Sequence, residues 1–180
     1  MIEFAKIVLL GLIAAIAFGV VHDQVTARVC VEYFTIGHPP LFGTSSPTLL
    51  AVGWGVLGTW RLGLVLAVVT AIFARLGSRP PVTARRLLRP LAVLLLAVAA
   101  ASLVFGIAGF FLVARDVIAV DRTLVWGVPP SSHARFVADL WAHRAAYLVG
   151  YFASVVLWGW IVRQRLAAET AASGHDAQRV

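Results

Sequence analysis

The stretch LAVLLLAVAAASLVFGIAGFFLVA, residues 91–114, decides the fold, because it carries no charged side chain from end to end. As a helix it would be about 36 Å long at roughly 1.5 Å per residue. The hydrocarbon core of a bilayer is about 30 Å thick, so the segment can cross it. Working outward, three more apolar segments follow the same rule, at about 4–21, 49–74 and 145–162. Counting the first from Ile7, Arg61 is the only charge inside any of the four. The reading is an all-α membrane protein, a four-transmembrane-helix bundle filling 1–163 as one domain. Residues 164–180 are expected to be a disordered polar tail.

Composition agrees. Hydrophobic residues make up 61% of the chain and charged ones 13%, which excludes a hydrophilic globular enzyme. The net charge of +7 would allow a nucleic-acid partner, but Lys and Arg collect at the ends of the apolar segments and line no polar face with interleaved aromatics. The expected partners are the lipid bilayer and another membrane protein or a second copy of the chain, with no nucleic acid.

The connection between the second and third segments holds Arg75, Arg79, Arg85, Arg86 and Arg89 and no acid, and Arg163 and Arg165 follow the fourth. Under the positive-inside rule both are cytoplasmic. The N-terminus is then cytoplasmic too, and the connections 22–48 and 115–144 face outward. Ala15-Ile16-Ala17 has the form of a signal-peptidase site, yet the apolar run continues past it to Val21, so a retained first span is expected.

Four of the five histidines lie in the outer connections. His22 follows the first span, and His143 precedes the apolar part of the fourth, which puts both in one layer at the outer boundary. Asp139, His143 and Tyr147 are spaced i, i+4, i+8 and share a helical face. With Asp23, Glu32 and His38 they form a set of imidazoles and carboxylates able to hold a divalent ion, Zn, Fe, Mn or Cu. The candidate ligands are His22, Asp23, Glu32, His38, Asp139 and His143, with Arg28, Arg61, His133 and Tyr147 as supporting or anion-binding groups. The spacing matches no established metal motif. Two other readings stand beside it: haem held between His22 and His143, and a non-catalytic accessory subunit whose outer connections dock a partner. If catalytic, the centre would activate water or carry electrons toward an amphiphile. Arg61, inside a span, should face the bundle or snorkel outward, with Glu32 or Asp23 as its natural partner.

Gly37-His38-Pro39-Pro40 and Gly127-Val128-Pro129-Pro130 precede the second and fourth spans, and Asp23 and Asp116 follow the first and third. The chain therefore reads as two tandem helical hairpins. Within the first connection, Val25, Ala27, Val29, Val31 and Tyr33 alternate with polar residues, a period of two that argues for a strand over 25–35 and a small outer β-ribbon. An interfacial helix is the alternative, with Arg28 and Glu32 as an i, i+4 pair. The string His22-Asp23-Gln24, Thr26, Arg28, Cys30, Glu32-Tyr33-Phe34-Thr35 and His38-Pro39 resembles a group of small bacterial integral membrane proteins. The resemblance covers the first outer connection and faintly 141–147. It implies a bacterial inner-membrane protein and brings no activity with it.

Overall fold

The computed structural model describes residues 1–177, with side chains placed through Ser173. The architecture is all-helical. Helices α1 (Ile2–Val29), α2 (Val31–Thr35), α3 (Pro47–Arg75), α4 (Ala84–Ala114) and α5 (His133–Ala177) follow in order, with one 3₁₀ turn at Pro130–Ser132. Four of them, α1, α3, α4 and α5, are long and apolar enough to cross a membrane. Helix α5 covers the stretch 164–177 expected as a tail; residues 178–180 lie outside the described residues.

Close packing pairs α1 with α3 and α4 with α5, so two hairpins form the bundle. Small residues set the first pairing. A Cβ on Gly19 would stand 2.5 Å from the Gly55 carbonyl oxygen, and one on Gly63 would stand 2.5 Å from Ala15 Cβ. Neither glycine can be enlarged without driving the helices apart. Between hairpins the contact is sparser.

The expected β-ribbon does not form: among the described residues there is no strand. Burial explains why. Asp23, Thr26, Ala27, Cys30, Tyr33 and Phe34 are the buried positions here, a helical period, whereas Val25 and Val29, on the alternating set, are exposed. At Cys30 the backbone turns extended, α1 stops, and α2 folds across the bundle end. That break separates Arg28 from Glu32, so their pairing is not made. Arg28 instead reaches Gln24 Oε1 at 2.7 Å and Thr48 Oγ1 at 2.9 Å, joining the end of α1 to the start of α3.

Two apolar clusters close the bundle. One gathers Ala27, Cys30, Phe34, Leu50, Val125, Val128 and Phe136 at the end bearing connections 36–46 and 115–129. The other gathers Ile7, Ala71, Ala74, Val82, Leu87 and Ile161 at the opposite end. There Arg165 is buried and donates to the carbonyls of Pro80 at 3.1 Å, Phe73 at 2.6 Å and Arg79 at 2.8 Å, fastening the 76–83 connection to α5. A guanidinium fork suits three diverging acceptors.

Candidate metal centre

His22 and Asp23 on α1, Ser102 on α4 and His143 on α5 meet between the two hairpins. They lie about 10 to 18 Å below the ends of their helices, counting roughly 1.5 Å per residue. His22 Nδ1 and His143 Nε2 each lie 3.1 Å from the same oxygen, Asp23 Oδ1. The two rings meet edge to face with centroids 4.5 Å apart. Three atoms, two nitrogens and one carboxylate oxygen, fall within 4.8 Å of one another.

The hydrogen bonds on the far sides of the rings determine which nitrogens carry protons. His143 Nδ1 lies 2.7 Å from the Asp139 carbonyl oxygen, which can only accept, so Nδ1 is the donor. Ser102 Oγ donates to the Ala142 carbonyl at 3.0 Å, so toward His22 Nε2, at 2.7 Å, it must accept. In their neutral forms both rings therefore turn a lone pair, not an N–H, toward Asp23 Oδ1. Three electron pairs converge with no hydrogen between them. A proton on Oδ1 or on one ring satisfies one contact only; protons on both rings, or one cation between the three atoms, satisfy both.

Both nitrogen–oxygen distances, 3.1 Å each, suit a small cation. Bonds of about 2.0–2.2 Å from nitrogen and oxygen ligands place neighbouring ligand atoms about 3.0–3.4 Å apart in octahedral or tetrahedral geometry. The remaining N–H groups are held as ligating imidazoles usually are, by a backbone carbonyl and a hydroxyl. A haem is a poorer match, since rings in edge contact leave no slot for a macrocycle.

The other candidates are placed elsewhere. His38 Nδ1 donates to the Tyr33 carbonyl at 2.7 Å and its ring packs on Trp54. His133 Nε2 donates to the Val128 carbonyl at 2.9 Å, which fastens the start of α5. Glu32 accepts from Ser132 Oγ at 2.9 Å and from Cys30 Sγ at 3.4 Å. Tyr147 Oη donates to the Gly58 carbonyl at 3.1 Å, across the seam of α3 and α5. Arg61 is exposed on the surface of α3 with its guanidinium 5.3 Å from the centroid of the Trp60 ring, so it does not face the bundle. Neither proposed carboxylate partner is free for it: Glu32 and Asp23 are already engaged. Asp139 is 1% exposed and its Oδ2 has no hydrogen-bond partner among the described residues. Its backbone carbonyl, rather than its carboxylate, contacts the centre.

The apolar end cluster covers the centre. Tyr33 leans on the His143 ring with centroids 4.6 Å apart, and Phe34 on it at 5.8 Å. Burial raises the Tyr33 phenol above its ordinary value, with the Asp139 carboxylate adding to the effect. Burial likewise pushes the Cys30 thiol up to about 12, so it is an inert packing residue and not a thiolate ligand. Below the centre, a cavity of about 180 Å³ runs between the hairpins to Ile7 and Leu157.

Ser102 is not among the site candidates read from the sequence. Its signal as a site residue is that it is the lone hydroxyl in residues 91–114, where a polar group needs a partner. No protein-family model, no curated protein and no solved structure matches this chain.

Proposed function

We propose that this is a multi-pass protein of the bacterial inner membrane that binds one divalent metal ion through His22 Nδ1, Asp23 Oδ1 and His143 Nε2. The observation that supports it is that two imidazole nitrogens face one carboxylate oxygen, the three atoms lying within 4.8 Å of one another, with both outer N–H groups already committed to Ser102 and Asp139. Three protein ligands leave coordination positions for water or another small ligand, the arrangement of a catalytic rather than a closed structural site. Nitrogen-rich ligation favours Zn, Fe, Mn or Cu over Mg or Ca. The charge bias of the connections orients the centre toward the outer face, with both termini cytoplasmic.

The test is elemental analysis of full-length protein purified without chelator or a histidine tag. One ion per chain is expected, falling to none in His143→Ala and Asp23→Asn. A metal-free wild type after incubation with Zn(II), Mn(II), Fe(II) and Cu(II) would sink the reading and leave the accessory-subunit role, in which the polar group only joins hairpins.

A further inference from the structure

The cavity beneath the centre has a shape and a polarity of its own. It extends along α1 from Ile7 to His22, about 22 Å at roughly 1.5 Å per residue, most of the hydrocarbon thickness. Leu10, Leu62, Leu66, Leu94 and Val98 line its length. The serine and threonine hydroxyls along the same wall donate inside their own helices, Thr70 Oγ1 to the Leu66 carbonyl at 2.7 Å and Ser154 Oγ to the Gly150 carbonyl at 2.8 Å, and the Tyr147 hydroxyl donates across to the Gly58 carbonyl. The wall is therefore apolar in effect, and its polar groups gather at one end, where His22, Asp23, His38 and His143 stand.

We infer that this cavity binds one long-chain amphiphile, its chain lying between the hairpins and its oxygen-bearing head at the His22, Asp23 and His143 end. The head placement rests on the metal reading; the chain placement rests on the cavity alone. Water does not fill such a space, because an apolar void offers it no partners. Glycine keeps the seam open on one side: a Cβ on Gly150 would find its nearest neighbour, Val98, only at 3.9 Å. Access from the outer aqueous side is closed by Tyr33, Phe34 and Phe136, all less than a tenth exposed, so the ligand enters from the lipid, where chains of this kind are abundant. A divalent ion with one carboxylate and two neutral imidazoles carries a net charge of about +1, which attracts a carboxylate or carbonyl oxygen and repels a cationic head.

The probe is spin-labelled stearate added to full-length protein in detergent, with immobilisation read by electron paramagnetic resonance. Wild type should immobilise it. Gly150→Leu and Val98→Phe, two fillings from neighbouring positions on α5 and α4 of the second hairpin, should each weaken binding about tenfold or more, a loss of about 1.4 kcal/mol, while metal content stays at the wild-type value. A long-chain quinone should compete, or stearate alone should bind, according to whether the head is a carbonyl or a carboxylate; a long-chain alkylammonium should compete far more weakly. The inference is overturned if wild type leaves the probe mobile, if both filled variants that retain their thermal transition bind it undiminished, or if the alkylammonium competes as well as stearate. Metal content measured on the same samples reports separately on the metal reading.

Discussion

At the scale of single residues, the centre depends on a hydroxyl that touches no ion. Ser102 accepts from His22 Nε2 only because its own hydrogen is committed to the Ala142 carbonyl. Ser102→Ala should lower metal affinity by roughly 10 to 100-fold, the usual cost of losing a group that orients a ligating imidazole. Competition against a chelating dye measures it, and unchanged affinity would remove Ser102 from the account. Glu32 supplies a pH signature at the covering end. Its carboxyl is held below the ordinary value of 4.5, first by its own backbone N–H and also by the Ser132 hydroxyl, with burial opposing. A depressed folded value means that its contribution to stability is present above about 4.5 and is lost as pH falls through the folded value. Thermal unfolding should therefore lose temperature below that pH, and Glu32→Gln should lessen the loss. His22 and His143 were readable from depth and phase alone, because helical spacing and span boundaries fix both. Their shared contact with Asp23 Oδ1 was not, since which oxygen meets which nitrogen depends on side-chain rotamers.

At the scale of elements, the misread segment is instructive. Residues 25–33 alternate as a strand would, but with Asp23 just before them they also carry a helical set, Asp23, Thr26, Ala27 and Cys30, and that set is buried. Two periods competed in a short window, and only the neighbouring helix decided between them. The repeated Gly-x-Pro-Pro tells a similar story. Gly127 takes a left-handed φ of 78°, whereas Gly37 is required because a Cβ there would stand 2.6 Å from the Tyr33 carbonyl oxygen. Like sequence thus answers two different needs, and the two connections at this end of the bundle differ in conformation. The pairing of α1 with α3 rests on Gly19, Gly55 and Gly63, none of which has room for a Cβ. Gly19→Val should destabilise the protein by about 1–3 kcal/mol or more by overpacking, read from unfolding in a denaturing detergent. Gly159→Ala is the control: nothing lies within 4 Å of its added methyl, so its effect should be small or slightly stabilising.

At the scale of the whole molecule, two hairpins stand side by side, held at one end by the covering cluster and at the other by Arg165 and its three carbonyls. The spans were legible because lipid demands long charge-free helices; the cavity was not, because it belongs to no single helix. A reporter fused after Arg85 should give a cytoplasmic signal and one inserted near Ser45 an external one. The reverse would place the centre on the inner side. The first hairpin carries His22 and Asp23, and the second carries Ser102 and His143, so neither half holds a complete ligand set. Chain emerging from the ribosome brings the first pair into the bilayer well before the second exists. On the proposed metal reading, ion capture therefore comes last in biogenesis, and an occupied centre certifies that both halves have inserted, met and locked in register.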